Sequence, residues 1–285
     1  MRFATISTAR GPAAATLAPD GSVRGRCFVD DGSVQSLDVA IQSQGDLGSY
    51  HALLCDGDVF EAGSFSFLPP LREPRKILCV GLNYRDHTKE SPYEQPDYPT
   101  IFGRFASSLI GHEEAIVRPR VSTALDYEGE LVAIIGKGGR HIPLADALDH
   151  VMGYALFNDA SIRDYQFKTP QWTIGKNFDA TGAFGPWVVT ADEIPAAAAG
   201  LAIETRLNGV VVQSSNTSDM VFGVAQLVSV LSEALTLLPG DLLVTGTPAG
   251  VGMARKPPLY MKAGDVCEVE VEKVGILRNP IVDEG

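Results

Sequence analysis

Asp126-Tyr127-Glu128-Gly129-Glu130-Leu131-Val132-Ala133-Ile134-Ile135-Gly136 reads as a β-strand of apolar residues entered through two carboxylates spaced i, i+2. Side chains two apart on a strand share a face, so Glu128 and Glu130 are expected to project side by side. Adjacent carboxylates repel unless a cation sits between them. A hard, oxygen-seeking ion such as Mg²⁺, Mn²⁺ or Ca²⁺ suits such a pair. The plainer alternative is a strand end carrying two solvated acids. A second β-prone run, Val151 to Asn158, ends in a third carboxylate, Asp159. Glu128, Glu130 and Asp159 are expected to make a three-oxygen set on two neighbouring strands, with ion positions left for water and substrate.

Working outward, the chain of 285 residues has room for one large domain, or one large and one small. Its 45% apolar and 20% charged residues are ordinary for a soluble globular protein. The formal net charge of −12 gives no attraction to a phosphate backbone, so nucleic acid is not an expected partner. Cys27, Cys55, Cys79 and Cys267 are scattered, with no C-x-x-C and no zinc spacing, which fits free thiols in a reducing compartment. The start Met1-Arg2-Phe3-Ala4-Thr5 opens no apolar signal run, and no stretch reaches the length of a membrane span. A cytoplasmic protein that binds no membrane is the expectation.

Residues 1–72 carry short apolar runs with many Gly, Ser and Asp, and close at Pro69-Pro70, where proline interrupts regular structure. The remainder, 73–285, is strand-rich, with apolar or alternating runs at 131–135, 151–157, 186–189, 201–206, 210–213, 242–245 and 266–274. One long buried helix is predicted from Met220 to Leu231, capped by Asn216 or Ser218. A short helix is predicted at 145–150. The βαβ alternation of a doubly wound fold is missing.

Further residues can carry chemistry. His87 and Glu90 are three apart after the Lys76–Val80 strand, so on one helical turn the carboxylate can orient the imidazole as a general base; a surface ion pair is the alternative. The other histidines, His51, His112, His141 and His150, have no such setting. Arg163 and Gln166 follow Asp159 closely and can hold an anion, or simply brace a loop. Lys176 can stabilise a developing enolate or oxyanion. The loop Thr245-Gly246-Thr247-Pro248-Ala249-Gly250-Val251-Gly252 lacks the ending of a phosphate loop. Its backbone N–H groups and the Thr247 hydroxyl can instead meet a small carboxylate.

The segments GLNYRDHTKE, SSLIGHE, DYEGELVAIIGK, YALFNDASIRDYQ, TIGKNFDATGAFGP, TRLNGVVVQSSNTSDMVF, LLPGDLLVTGTPAGVG and GDVCEVEVEKVGILRNPIV resemble, in this order, the fumarylacetoacetate hydrolase family, on its acylpyruvase-like, 2-oxo acid branch. The resemblance implies an α+β, mainly β fold: a mixed β-roll or sandwich catalytic domain over 73–285 behind a small variable N-terminal domain, 1–72. It implies a homodimer and a divalent metal, Mg²⁺ or Mn²⁺ with Ca²⁺ possible, on Glu128, Glu130 and Asp159. It makes His87 and Glu90 a water-activating dyad on a segment, about 87–100, that orders as a lid. Lys176 would face the oxo-acid end of the substrate. Arg85, Arg104, Arg163, Gln166 and Thr247 complete the expected substrate-binding set, Arg104 standing where many relatives carry lysine.

The leading expectation is hydrolysis of a C–C bond in a 2,4-dioxo acid of the acylpyruvate type, giving pyruvate and a carboxylic acid. The alternative on the same site is decarboxylation of oxaloacetate, or isomerisation of an unsaturated 2-oxo dicarboxylate. Dehydration of a sugar-derived 2-oxo acid ranks below these, as does a non-catalytic metal-binding scaffold.

Overall fold

In the computed structural model, which describes residues 1–30, 32, 34–90, 94–95 and 97–285, the chain opens with β1 (Arg2–Thr8), β2 (Gly11–Leu17) and β3 (Val23–Cys27). Helices α1 (Leu37–Gln42) and α2 (Leu47–Cys55) follow, then β4 (Asp58–Val59) and β5 (Phe65–Leu68). The middle of the chain supplies β6 (Ile77–Gly81), α3 (Arg85–Glu90), β7 (Thr100–Arg104), β8 (Leu109–Ile110) and β9 (Ile116–Arg118). Next come β10 (Leu125–Asp126), β11 (Gly129–Ile135), β12 (Val151–Asp159), β13 (Ser161–Ile162) and α4 (Arg163–Gln166). The last third holds β14 (Gly182–Thr190), β15 (Ala202–Leu207), β16 (Val210–Asn216), α5 (Val224–Ala234), β17 (Leu242–Val244), β18 (Val266–Val271) and β19 (Gly275–Asp283).

Most strands join one mixed sheet in the order β4-β3-β2-β1-β14-β12-β11-β17-β6-β7, with β5 added to β1 and β8 to β14. A second, five-stranded sheet runs β16-β15-β18-β19-β9. All of β11 is buried, and its alternation explains why. Leu131, Ala133 and Ile135 face a core shared with Ile203, Val269 and Leu277 of the second sheet. Val132 and Ile134 face the opposite core, shared with Leu37 and Ile41 of α1 and Leu54 of α2. A strand covered on both faces needs no polar alternation, which is why the run reads as continuously apolar.

The α+β, mainly β architecture is as the sequence leads one to expect. Among the boundaries that differ, two have a visible cause. Asn216 caps only the turn Thr217–Asp219, and α5 starts later, with Gly223 as N-cap. Asn83 prevents an earlier start: its carbonyl takes the Val221 N–H at 2.8 Å and its side chain takes the Phe222 N–H at 2.8 Å. α5 also buries one stripe, Val224, Leu227, Val228 and Leu231, rather than its whole circumference. The predicted run 266–274 ends early, because Lys273 turns the chain with φ 65° between β18 and β19. The segment predicted as a short helix at 145–150 is a 3₁₀ helix over Leu144–His150. No helix among the described residues is long and apolar enough to cross a membrane.

Candidate functional site

Glu128 sits just before β11 and Glu130 is its second residue, while Asp159 ends the neighbouring antiparallel strand β12. The register pairs Gly129 with Asn158, and the Asp159 N–H donates to the Glu128 carbonyl at 2.9 Å. This pairing brings the three acids together: one oxygen from each lies within 4.8 Å of the others, and all three residues are buried. A cluster of hard carboxylate oxygens this close can hold a divalent cation after small side-chain adjustments.

Cations of the chain surround the cluster. Lys176 Nζ donates to Glu128 Oε2 at 2.7 Å and to Asp159 Oδ2 at 2.8 Å. Arg163 Nη1 lies 2.6 Å from Glu128 Oε1, and Arg104 pairs with Asp159. Burial alone would push the Glu128 carboxyl up, but Lys176 and Arg163 outweigh it and hold it well below the usual range. For Glu130 the balance is reversed: burial first, then the charges of Asp159 and Glu128, push it well up against the opposing Lys176 charge and Gly246 N–H. Burial would depress Lys176, yet Asp159 and Glu128 raise it, so its ammonium is kept charged.

Above the cluster lies a cavity of about 160 Å³, lined by Glu128, Glu130, Arg163, Gln166, Lys176, His87, Glu90 and Thr247 among others. His87 Nδ1 stands 2.9 Å from Glu90 Oε1. The Gly-rich loop expected to meet a small carboxylate donates its amides to carboxylates of the chain itself. Gly246 N–H goes to Glu130 at 2.5 Å, Gly250 N–H to Glu90 at 3.0 Å, and Gly252 and Met253 N–H to Asp126 at 2.8 and 2.9 Å. The Thr247 hydroxyl donates to the Gly129 carbonyl at 3.0 Å.

Of the residues singled out in the sequence, His87, Glu90, Lys176, Glu128, Glu130, Arg163, Gln166 and Thr247 line this cavity. Asp159 is fully buried behind it. Arg104 is buried further back, donating to Asp159, Thr181 and Ser108, so it acts on the cavity only through Asp159. Arg85 is exposed and lines a separate shallow groove with Thr88, Lys89, Gln95 and Val221. The expected lid over 87–100 includes Ser91, Pro92, Tyr93 and Pro96, which lie outside the described residues. The other histidines lie away from the cavity: His51 meets Thr16 Oγ1, His112 accepts from the Arg278 N–H, and His150 meets the Lys137 carbonyl.

Sequence reasoning missed Asp126. Its buried carboxylate accepts from Arg163 Nε at 2.8 Å as well as from the Gly252 and Met253 amides, so it fixes both an arginine and a loop of the cavity wall. The only signal was an acid at the head of DYEGE, and its partners are too distant in sequence to suggest a role. Arg163 Nη2 is buried without a hydrogen-bond partner among the described residues.

Comparison with known proteins fits this picture. The family model described as fumarylacetoacetate (FAA) hydrolase C-terminal matches residues 76–282. An oxaloacetate tautomerase of Rattus norvegicus, named as mitochondrial, is 44% identical over 218 residues, which span 76% of this chain and 69% of that protein. The solved fumarylacetoacetate hydrolase from psychrophilic Exiguobacterium antarcticum superposes with a TM-score of 0.85 at 33% identity, covering 100% of both chains. The 2-hydroxyhepta-2,4-diene-1,7-dioate isomerase from Mycobacterium marinum superposes with a TM-score of 0.77 at 31% identity, covering 100% of this chain and 99% of that one.

Proposed function

The chain belongs to the fumarylacetoacetate hydrolase family, and from that premise we propose that it is a divalent-metal-dependent tautomerase of oxaloacetate type, or an isomerase of an unsaturated 2-oxo dicarboxylate. The observation that carries this reading is the convergence of three buried carboxylates, a charged lysine and a hydrogen-bonded His–Glu pair on one cavity. The names of the rat relative and of the M. marinum isomerase support it over the decarboxylation that the sequence reading set beside isomerisation.

With its Nδ1 proton donated to Glu90, His87 keeps a lone pair on Nε2. That nitrogen takes a proton from C3 of the bound oxo acid and returns it to the C2 oxygen or, in the isomerisation, to a more distant carbon. His87 ends as it began, and no water is consumed. Lys176 opposes the negative charge that develops at the C2 oxygen. Arg163 Nη2, which has no hydrogen-bond partner among the described residues, offers a charge-assisted donor to a substrate carboxylate. A divalent ion on Glu128, Glu130 and Asp159, Mg²⁺ by preference with Mn²⁺ or Ca²⁺ as alternatives, would supply Lewis-acid polarisation of the 2-oxo group.

Hydrolysis of an acylpyruvate C–C bond, first in the sequence reading, becomes the second reading. It is favoured by the same His87–Glu90 pair, which can equally deprotonate a water. One experiment separates the two. Oxaloacetate enol is followed by ultraviolet absorbance with Mg²⁺, with and without chelator, while pyruvate release is followed from oxaloacetate and from acylpyruvates. We expect accelerated enol–keto exchange that the chelator abolishes, and a loss of about 10²-fold or more in His87→Ala. Exchange no faster than in buffer, together with pyruvate release from acylpyruvates, would overturn the tautomerase reading in favour of hydrolysis.

We also propose a homodimer, from the family resemblance and from Val210 and Val211, which stand exposed on the edge strand β16. Sedimentation velocity tests it. A cytoplasmic location is likewise a proposal, tested by fractionation of the source cells.

A further inference from the structure

The cavity has two chemistries. Its floor is ionic, made by Glu128, Glu130, Arg163 and Lys176, whereas Phe102 and Trp172 form an apolar wall and Leu82, Val251 and Met253 add to the apolar lining. Phe102 marks the boundary: its ring centroid is 5.0 Å from Lys176 Nζ on one side and 5.6 Å from the Trp172 ring on the other.

Trp172 holds its place for a reason visible in the chain. A Cβ on Gly81 would come within 2.3 Å of the indole Cζ3, so the ring lies directly on the glycine backbone where β6 ends. The Trp172 carbonyl accepts the Lys176 N–H at 3.3 Å, so one turn delivers the cation to the floor and the indole to the wall. Gly175, inside that turn, packs so tightly that a Cβ would sit 2.3 Å from the Gln166 amide nitrogen. The wall is therefore fixed to the same frame as the floor.

A four-carbon oxo dicarboxylate gripped at the floor either turns its second carboxylate to this wall or leaves the wall wet. The first costs desolvation without a partner, and the second forgoes apolar burial. We propose that the site takes 2-oxo acids with a hydrocarbon segment beyond C3, and that Trp172 is the specificity-determining residue that reads this segment. The proposal deepens the isomerase arm of the function given above, sets it ahead of the oxaloacetate arm, and rests on the reading of the floor as a 2-oxo acid site.

The test is a binding series that needs no turnover. Straight-chain 2-oxo acids, lengthened from pyruvate one methylene at a time, are titrated calorimetrically into the Mg²⁺-loaded protein. Each methylene laid on the wall should tighten binding by roughly fourfold. Trp172→Ala should reduce that step to under about twofold, and Trp172→Phe should keep most of it. A flat series in the unaltered protein, or an unchanged slope in Trp172→Ala, overturns the proposal, and the first of these needs no variant to fold. A protein that shows the slope but leaves oxaloacetate enol untouched keeps this inference and loses the tautomerase reading. A tautomerase with a flat series does the reverse. If neither pyruvate nor any longer acid binds, both fall together.

Discussion

At the scale of single residues, Lys176 decides how three acids can share one buried place. Its ammonium bridges the inner oxygens of Glu128 and Asp159, while Arg163 and Arg104 hold the outer ones. Breaking a buried pair by removing one partner costs roughly 3–5 kcal/mol, because the remaining charge stays desolvated. Lys176→Met keeps the bulk and removes the charge. Under chelator, the variant should melt roughly 5–15 °C below the parent, and Mg²⁺ should recover more of the difference than it adds to the parent. Calorimetric scans with and without Mg²⁺ read this, and equal melting points under chelator would show the bridge to be energetically idle. The three acids were legible because an i, i+2 spacing and a strand end are local signals. The cations that neutralise them were only half legible. Lys176 alone in sequence looks like a solvated surface group, and its burial follows from a turn whose glycine fits against Gln166. Asp126 was illegible as a site residue, since what it does depends on amides 126 and 127 positions further on.

At the scale of elements, the start of β11 sets the geometry of the whole centre. Gly129 separates the two glutamates, and a Cβ there would lie 2.1 Å from Thr205 Oγ1 and 3.1 Å from Val269 Cγ1. The second sheet thus presses directly on the strand that presents the acids. Overpacking a filled core costs about 1–3 kcal/mol. Gly129→Ala should therefore lower stability by about that much and also weaken Mn²⁺ binding, because any relief must move Glu128 or Glu130. Urea unfolding and Mn²⁺ titration by electron paramagnetic resonance check both halves. A variant that loses stability but binds Mn²⁺ as before would mean that the sheet yields and the strand does not. The strands themselves were readable, since apolar runs of this length flanked by glycine and proline leave few alternatives. The start of α5 was not readable, because Asn83 takes the amides of residues 221 and 222 from 138 or more positions upstream. Local capping preference lost to a tertiary hydrogen bond.

At the scale of the whole molecule, the N-terminal residues and the catalytic sheet share a core. His112 lies where the N-terminal residues meet the second sheet: its ring packs edge-on to Phe67 of β5 at 5.3 Å, and it accepts the Arg278 N–H of β19 at 3.1 Å. Burial, more than any neighbouring charge, lowers its pKa below the usual 6.5. The unfolded chain therefore takes up this proton first as pH falls, and stability drops below about pH 6.5. His112→Gln should flatten the fall in urea midpoint between about pH 7 and 5; an unchanged slope would assign that fall to other groups. The larger consequence concerns residues 1–72. β1 pairs with β14 through Arg2–Val189 and Phe3–Val188, so the N-terminal strands extend the catalytic sheet. Phe3, Leu37, Leu54 and Leu71 pack in the same cluster as Val132, Phe157 and Val244, next to the residues that carry Glu130 and Asp159. Beyond Pro69-Pro70 the chain is still fastened, with Arg72 and Glu73 amides on the Asp38 carboxylate at 3.2 and 3.0 Å. Each buried side chain of this kind contributes about 1.5–3 kcal/mol, against a total stability of only about 5–15 kcal/mol for a domain. A chain begun at residue 73 would expose the apolar side chains that Val132, Ile134, Phe157 and Val244 contribute to this shared cluster. It should aggregate, or stay soluble only without a cooperative melt, and should bind Mn²⁺ poorly. A truncated chain that melted sharply and bound the ion with the parent's affinity would show that this shared core is dispensable, and that 1–72 is an accessory to a self-sufficient catalytic unit.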